Sequence, residues 1–489
     1  MKIFSYETPN LDKVVAEGMV FTNGYAAAAN CAPSRACLMS GQNTPRHGIY
    51  TVSESDRGDE KTRKIIPTTK NKTGSKKPNI ILIMADDMGY ECLGSYGSSS
   101  YETPHLDKMA ENGVQFEHCY SQPLCTPSRV KIMTGKHNFR NYKAFGYLDP
   151  QEKTFGNMLQ DAGYSTCIAG KWQLNGISGG KLPGWDDTSR PHHFGFDEYC
   201  LWQLHNTKSE GERYANALLV QNGKQLPRDE NKYGSEIIAN FVLDFIEIKK
   251  EEPFFIYYPM NLVHDPFVPT PDSKDWSDPS MRYLDDTSYF KDMVAYTDKI
   301  IGRIINKLDE TGLAENTLVI FTGDNGTHVS IYSKMKDGRV IKGAKGKMTN
   351  GGTRVPLIAY WKGKSLKGEV NRDLVDFSDF LPTFAEAAGI KISKDKPLDG
   401  QSFLPQVLGN PTKPKEYIYM YYQPKWGKFE SGVFVRNQKY KLYDDGRFID
   451  IEKDVLENNP MDLNSITGEA LEAGKKFQAV LDRMPGLNE

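Results

Sequence analysis

Five short apolar runs constrain the fold of this chain more than any other feature of its sequence. They lie at residues 80–84, 165–169, 254–258, 318–321 and 355–361. An unbroken apolar run of this length is typical of a parallel strand that is covered on both faces. Patterns typical of helices separate the runs, so the sequence predicts an α/β fold in which a mostly parallel sheet lies between layers of helices.

Two of the predicted helices have clear ends. Pro104 suits the first turn of one helix, and Gly113 suits its C-terminal end. Residues 289–308 carry apolar side chains at helical spacing and end close to Gly312. These ends support the predicted alternation of strands and helices.

The C-terminal part of the chain has a different pattern. Beyond about Thr412 the sequence becomes strand-like, with tight turns between the strands. The strand-like segments are residues 417–422, 433–436 and 440–448. This pattern predicts a small antiparallel sheet, appended as a subdomain over residues 412–489 to a core over residues 78–411.

The beginning of the chain repeats part of its later sequence. Residues 6–13 match residues 101–108, and after one gap residues 31–35 match residues 125–129. The first copy then fades into a polar and charged stretch that is typical of a linker. We interpret residues 1–77 as a partial duplicate and a linker that lie outside the core, and we expect them to contribute no catalysis.

Composition and charge exclude several classes of function. The 61 basic and 63 acidic residues nearly cancel, so no bulk attraction to nucleic acid is implied. No segment approaches the run of about 18 apolar residues that a membrane-spanning helix requires. The seven cysteines are odd in number and include no C-x-x-C pair, so they indicate neither a disulfide framework nor a zinc site.

Three of the predicted strands lead to polar residues that suit an active site. Asp86 and Asp87 follow the first run, His264 follows the third, and Asp324 and Asn325 follow the fourth. Ligands of open α/β sheets bind beyond the carboxyl ends of the strands, so we expect these residues to converge. The carboxylates and the amide form an all-oxygen set that suits Ca²⁺ or Mg²⁺ rather than zinc. Turn chemistry alone would explain either pair by itself, but not both pairs at strand ends.

A C-x-P-x-R motif lies between the first two of the predicted strands. Cys125 begins a predicted helix, Pro127 lies near its first position, and Arg129 follows one turn later. Backbone N–H groups at the start of a helix favour an anion, and Arg129 adds a fixed positive charge. A structural cysteine is the simpler interpretation of this motif alone, so its context has to decide.

Together, these motifs resemble those of sulfatases in the alkaline-phosphatase-like superfamily, over residues 78 to about 459. The resemblance implies a sulfatase catalytic domain in which Cys125 is converted to formylglycine and a calcium ion is bound, Mg²⁺ being the alternative. The implied metal ligands are Asp86, Asp87, Cys125, Asp324 and Asn325. Cys31 carries the same recognition letters as Cys125, but its copy has no matching acidic strand ends.

The same resemblance assigns further residues to the sulfate group. Arg129 supports the nucleophile, and Lys171, in Gly170-Lys171-Trp172, contacts sulfate. His264, in an H-x-P-x-x-P motif, binds substrate, and Lys345 is the second active-site lysine. The implied substrate is a sulfate ester of a small molecule or a glycan. The implied partner is a formylglycine-generating enzyme or an anaerobic maturase, which would modify Cys125.

Two positions depart from the family pattern. Gln173 replaces a histidine that in the family is thought to help expel sulfate, and an amide cannot act as a base. Asn350 replaces a common glutamate, which we interpret as a structural change. The family is usually periplasmic, secreted or lysosomal, but residues 1–7 lack the apolar core of a signal peptide, so the compartment stays open.

Two other functions compete with a sulfatase. A phosphodiesterase or phosphonate monoester hydrolase of the same superfamily can share the metal residues and the modified cysteine. An inactive binding protein is suggested by Gln173 and by the front segment. A pocket wall and a solvated loop are both consistent with the polar region that contains His192, His193, Trp202 and His205.

Overall fold

The structure is a computed structural model that describes residues 8–21, 24–28, 31–41, 77–177, 181–205, 212–393 and 398–487. The chain divides into two compact units, Met1–Lys76 and Lys77–Glu489. The described part of the first unit contains helices α1 (Pro9–Glu17) and α2 (Cys31–Ser40). Helix α1 has proline at its start and no buried residue.

The second unit contains the strands and helices that the apolar runs predict. Its strands are β1 (Asn79–Ala85), β2 (Val114–Tyr120), β3 (Ser165–Lys171), β4 (Glu198–Trp202), β5 (Leu219–Gln221), β6 (Lys224–Gln225), β7 (Phe254–Pro259), β8 (Thr317–Gly323), β9 (Tyr332–Lys334), β10 (Val340–Lys342), β11 (Arg354–Val355), β12 (Leu357–Trp361), β13 (Glu369–Asp376), β14 (Ile418–Tyr422), β15 (Gly432–Arg436), β16 (Tyr440–Tyr443) and β17 (Phe448–Asp450). Its α-helices are α3 (Pro104–Glu111), α4 (Cys125–Thr134), α5 (Asn138–Asn141), α6 (Phe155–Asp161), α7 (Arg190–His193), α8 (Gly234–Ile248), α9 (Phe290–Glu310), α10 (Asn350–Thr353), α11 (Phe380–Ala387), α12 (Leu404–Leu408) and α13 (Gly468–Leu481).

One large mixed sheet forms the centre of this unit. Its order is β13-β2-β12-β8-β1-β7-β3-β4-β5-β6, and β11 pairs with β2 just before β12. The central strands β8, β1, β7, β3 and β4 are parallel to one another. The sheet is therefore mostly parallel at its centre, which confirms the predicted fold class.

Strand β1 shows why its sequence is apolar at every position. Ile81 and Ile83 belong to one buried cluster, which includes residues of helices α8 and α9. Ile80 and Leu82 belong to a second cluster, which includes residues of helices α4, α6 and α11. Successive side chains of a strand point to opposite faces, so a sheet covered on both faces needs apolar residues at each position.

The last predicted run differs from the expectation. Pro356 divides it into β11 and β12, and β12 is antiparallel to both β8 and β2. A proline has no N–H group to donate to a sheet, which explains the break. The strand-like segment that begins at Tyr440 forms a hairpin of β16 and β17, in keeping with the predicted strands and tight turns.

The C-terminal sheet is a separate layer. Strands β14, β15, β16 and β17 form an antiparallel sheet in that order. Its cluster of buried residues includes Phe448 and also Phe477 of helix α13. This matches the small antiparallel subdomain that the sequence predicts. Within the described ranges, no helix has the length and apolar character needed to cross a membrane.

Candidate active site

The acidic residues meet because their strands are neighbours. Strands β1 and β8 are parallel and adjacent, with Ala85 paired to Gly323, so the residues that follow them share one edge of the sheet. Those residues are Asp86, Asp87, Asp324 and Asn325, and all are fully buried. The Asp87 N–H donates to Asp324 Oδ1 at 3.0 Å, and Asn325 Nδ2 donates to Asp87 Oδ1 at 2.8 Å.

Two oxygen atoms of this group have no hydrogen-bond partner among the described residues. They are Asp324 Oδ2 and Asn325 Oδ1, and both are buried. The nearest cation to Asp324 Oδ2 is Arg129 Nη2 at 3.6 Å, which is too long for a hydrogen bond. Burial and the negative charge of Asp86 together raise the pKa of Asp324 to about 8. Buried oxygens of this kind favour a nearby cation.

Two lysines complete the charge balance of the aspartates. Lys171 Nζ lies 2.9 and 2.8 Å from the two carboxylate oxygens of Asp86, and Lys345 Nζ lies 2.6 Å from Asp87 Oδ2. Burial by itself raises the pKa of Asp86, but Lys171 and His264 outweigh it and hold that pKa below its ordinary value. Burial also raises the pKa of Asp87, but the charges of His264 and Lys345 outweigh burial and hold that pKa below its ordinary value.

The position of Lys171 depends on a glycine before it. Gly170 has a φ of 123°, and a Cβ atom there would lie 1.9 Å from the carbonyl oxygen of Pro259. Only glycine fits both this backbone conformation and the close approach of β3 to β7. Gly170 therefore allows Lys171 to lie at the end of its strand, beside Asp86.

Cys125 is the first residue of helix α4, whose residues are all buried. Its Sγ donates to Gln173 Oε1 at 3.5 Å. Arg129 lies one turn further along the helix and donates through Nη1 to the carbonyl oxygen of Lys171. Its Nε and Nη2 are buried without a hydrogen-bond partner among the described residues. The helix thus presents a thiol and a guanidinium to the same cluster.

His264 contacts both the lysine and the aspartates. Its Nε2 lies 2.9 Å from Lys345 Nζ and 3.7 Å from Asp87 Oδ2, and its Nδ1 lies 2.8 Å from Asp265 Oδ1. Burial and the charge of Arg213 lower the pKa of His264 to about 4. Ligand atoms of Asp86, Asp87 and His264 all lie within 4.8 Å of one another, so this trio is a second combination able to hold a metal.

A cavity of about 430 Å³ opens onto these residues. Cys125, Gln173, His264 and Lys345 line it together with residues that the motifs did not identify. The additional lining includes Phe145, Gln203, Arg213, His328, Trp426 and Phe429. None of these six lies in the motifs named above, so only their position around the cavity identifies them.

The sequence left open whether the polar region around residues 192–205 is a pocket wall or a solvated loop. Only part of this region lines the cavity. Trp202 lines the cavity, and its Nε1 donates to the Glu212 carbonyl oxygen. His192 Nδ1 and His193 Nε2 instead pair with the carbonyl oxygens of Phe196 and Pro150. Neither histidine is among the residues that line the cavity.

Asn350 forms hydrogen bonds with two residues of the C-terminal part of the chain. Its Oδ1 accepts a hydrogen bond from Arg436 Nη1, and its backbone N–H donates to Glu457 Oε1 at 2.7 Å. Both partners are buried and lie in or after the C-terminal sheet. The interpretation of Asn350 as a structural change is consistent with these contacts.

Comparison with known proteins identifies the family. The family model described as "Sulfatase" matches residues 1–74 and 78–390, and the model described as "N-sulphoglucosamine sulphohydrolase, C-terminal" matches residues 344–484. The chain belongs to the sulfatase family. This confirms the family predicted from the motifs, and membership makes the protein a sulfuric ester hydrolase.

Individual sulfatases are similar over most of this chain. Human "Arylsulfatase A" is 32% identical over 76% of this chain and 75% of its own length. The "N-acetylgalactosamine-6-sulfatase" of Rattus norvegicus is 31% identical over 68% of this chain and 66% of its own length. A solved structure that concerns the metabolism of multiple glycosaminoglycans by Bacteroides thetaiotaomicron has a TM-score of 0.68 at 25% identity, and covers 84% of this chain and 99% of that chain.

Proposed function

We propose that this sulfatase hydrolyses sulfate esters of glycans through a formylglycine at Cys125 and a bound calcium ion. The proposed metal ligands are Asp86, Asp87, Asp324, Asn325 and the modified Cys125. One observation carries the proposal: the cysteine begins a buried helix beside an all-oxygen cluster with two unpartnered oxygens. Hard divalent cations prefer such oxygen ligands.

The residues present fit a calcium ion better than zinc. Oxygen atoms are the only donors of the proposed protein set, and Asp324 Oδ2 and Asn325 Oδ1 have no other partner among the described residues. When bound, calcium would polarise the sulfate oxygens and increase the acidity of a hydroxyl group near Asp324. Mg²⁺ demands a stricter octahedral geometry, and a comparison of the two ions in titrations decides between them.

The remaining cations bind the sulfate group in this proposal. Arg129, Lys171 and Lys345 lie at the cluster, and the unpartnered Nη2 of Arg129 is available to a sulfate oxygen. Fixed cations of this kind stabilise charge as it develops on the oxygens of a transferred group. Aspartate contacts hold both lysines in place before substrate arrives, so little reorganisation is needed.

Lys345 is the residue that we assign to the leaving alcohol. Burial lowers the pKa of Lys345, but the charge of Asp87 outweighs it and raises the pKa above its ordinary value. His264, with its pKa lowered to about 4, is neutral near pH 7 and accepts from Lys345 Nζ at 2.9 Å. We therefore propose that Lys345 holds the proton and that His264 orients it toward the departing oxygen.

Formylglycine supplies the step that neither serine nor a plain thiol can perform. If Cys125 is converted, the hydrated aldehyde would supply two hydroxyl groups at this position, one to attack sulfur and one whose deprotonation would restore the aldehyde and release sulfate. Gln173 Oε1 contacts Cys125 Sγ but cannot take a proton as a histidine can. The proposal therefore includes slow release of sulfate. It also requires an enzyme that oxidises the cysteine of this C-x-P-x-R sequence.

A glycan is the substrate class that the relatives suggest. One relative is named an N-acetylgalactosamine-6-sulfatase, and one similar structure concerns glycosaminoglycan metabolism. Each of these descriptions applies to the relative itself. They support a sulfated sugar as the first substrate to test here.

The decisive experiment combines mass spectrometry with turnover. We expect the peptide that contains Cys125 to carry formylglycine after coexpression with a formylglycine-generating enzyme. We also expect calcium-dependent hydrolysis of an aryl sulfate in preference to an aryl phosphate diester. Unmodified cysteine in an active preparation, or faster turnover of the phosphate diester, would contradict the proposal.

A further inference from the structure

Three aromatic side chains stack along one wall of the active-site cavity. Phe145 and Trp426 have ring centroids 4.2 Å apart and planes inclined by 11°. Trp426 and Phe429 have ring centroids 5.5 Å apart and planes inclined by 21°. All three residues line the cavity that contains Cys125. We call these three residues the aromatic wall.

The aromatic wall combines a buried base with exposed outer rings. Phe145 is 3% exposed, whereas Trp426 is 44% and Phe429 is 38% exposed. Large rings left in water forgo the free energy that burial of their apolar surface would give. Adjacent exposed rings beside a nucleophile are therefore better explained by a ligand that covers them than by packing within the chain.

The backbone fixes the outer rings close to the catalytic residues. Lys425 and Gly427, on either side of Trp426, have φ values of 52° and 61°, in the left-handed region that residues other than glycine seldom adopt. A Cβ atom on Gly346 would lie 2.4 Å from Cε1 of Phe429. Phe429 therefore packs directly on the residue after Lys345, so the aromatic wall contacts the segment that carries the proposed acid.

Two buried polar side chains, Gln203 and Arg213, also line the cavity. Gln203 Oε1 and Arg213 Nε have no hydrogen-bond partner among the described residues. Arg213 is held in place, since Nη1 donates to the Asp265 carbonyl oxygen at 2.9 Å and the guanidinium lies 4.4 Å from the centre of the Trp202 ring. The cavity thus offers aromatic faces together with ordered hydrogen-bonding groups.

We infer that the aromatic wall binds the pyranose ring that carries the sulfate ester, an inference that rests on the proposed function. A pyranose has an apolar C–H face that can stack on Trp426 and hydroxyl groups that can reach Gln203 and Arg213. A plain aromatic ring would stack equally well but would leave those buried polar groups unpartnered, which costs affinity. The volume of about 430 Å³ lies near the lower end of the range for ligand sites, which suits one sugar unit.

The test compares three sulfate esters in wild type, W426A and W426F. The probes are N-acetylgalactosamine 6-sulfate, 4-nitrophenyl sulfate and ethyl sulfate, which has no ring. We expect the kcat/KM ratio of the sugar sulfate to ethyl sulfate to fall about tenfold in W426A, mainly through KM, because the variant loses uniform binding. The W426F variant keeps an aromatic face and should recover most of that ratio.

Matched controls separate ring binding from folding. Tyr283 is also 44% exposed but does not line the cavity, so Y283A should leave the ratio unchanged. Thermal unfolding and calcium titration should be the same in wild type and W426A. An unchanged ratio in W426A, or a larger loss for 4-nitrophenyl sulfate than for the sugar sulfate, would overturn the inference.

Failure of the proposed function gives a different result. If wild type hydrolyses none of the three probes, the proposed function is wrong, and calorimetry with N-acetylgalactosamine 6-sulfate then tests the wall alone. Binding that W426A weakens about tenfold supports the inference. Absent binding, or binding equal in wild type and W426A, overturns it.

Discussion

Two buried clusters of charge in this protein differ in how their oxygens are used. The active-site cluster consists of Asp86, Asp87, Asp324, Asn325, Arg129, Lys171 and Lys345. A second cluster, which we call the structural cluster, consists of Lys131, Asp376, Asp379 and Lys415. Each cluster contains buried aspartates, and nearby lysines compensate the negative charge of these aspartates.

Every carboxylate oxygen of the structural cluster has a partner within the chain. Asp376 Oδ2 accepts from Lys131 Nζ at 3.0 Å, and Oδ1 accepts from the Ser378 N–H at 2.8 Å. Lys415 Nζ donates to both oxygens of Asp379, at 2.6 and 2.8 Å. These contacts join helix α4 to the end of β13 and to residues before β14.

The active-site cluster leaves buried oxygens and guanidinium nitrogens without such partners. Burial of a charge is therefore not by itself a sign of function in this protein. What distinguishes the active site is incomplete pairing, because an unpartnered buried oxygen is costly unless a ligand or metal completes it. The following changes test that distinction.

Removing the proposed nucleophile should have the largest effect on catalysis. The C125S variant should lose at least about 1,000-fold in turnover, since serine cannot form the diol that expels sulfate. Unfolding in urea should be unchanged, because the side chains are similar in size. Retention of most activity in C125S would contradict the assignment of the nucleophile.

Removing a proposed metal ligand should affect both activity and stability. The D324A variant should fail to bind calcium in calorimetric titrations and should lose most turnover, because Asp86 and Asp87 are left without the cation. Wild type should gain about 2.7 kcal/mol in unfolding free energy at calcium concentrations 100 times Kd, and the variant should not. Calcium binding equal to wild type in D324A would show that the metal site lies elsewhere.

Breaking the structural cluster should affect stability alone. The K131M variant leaves Asp376 buried with one partner fewer and should lose about 3–5 kcal/mol of unfolding free energy. Turnover per folded molecule should stay close to wild type, because the contact links packing elements. Denaturant titration measures the unfolding free energy, and active-site titration gives the turnover per folded molecule. A large loss of turnover in well-folded K131M would remove the distinction between the clusters.

Replacing Gln173 tests whether the release of sulfate limits turnover. If a missing base limits sulfate release, wild type should show a fast first turnover followed by a slow steady state. The Q173H variant should then raise the steady-state rate several-fold without changing the burst, as expected for general-base assistance. A lower steady-state rate in Q173H would indicate that Gln173 contacts substrate through its amide.

Deleting the first unit should have the smallest effect. Lys77 belongs to the second unit, in which its Nζ donates to the Ala162 carbonyl oxygen at 2.6 Å, so the deletion ends at residue 76. Turnover per active site should be unchanged, because the proposed residues all lie in the second unit. Expression and solubility should improve, since Leu11, Val14 and Phe21 are 64%, 67% and 79% exposed. Lost activity with the second unit still folded would reveal a role for the first.

The sequence by itself determined the fold class, the family and the residues that follow the central strands. Short unbroken apolar runs are typical of a sheet covered on both faces, and parallel strands bring their carboxyl ends to one edge. Asp86 and Asp324 are therefore neighbours as soon as β1 and β8 pair. The C-x-P-x-R motif marked Cys125 as a candidate nucleophile only together with the other motifs of the family.

Only the tertiary structure decided how the cavity is lined. Arg213, Trp426 and Phe429 come from irregular segments that are far apart along the chain, and no periodic pattern marks such residues. The tertiary structure also separated the unpartnered oxygens of Asp324 and Asn325 from the fully paired ones of Asp376 and Asp379. Hydrogen-bond pairing depends on distances of a few ångströms between elements, which a linear order of residues does not contain.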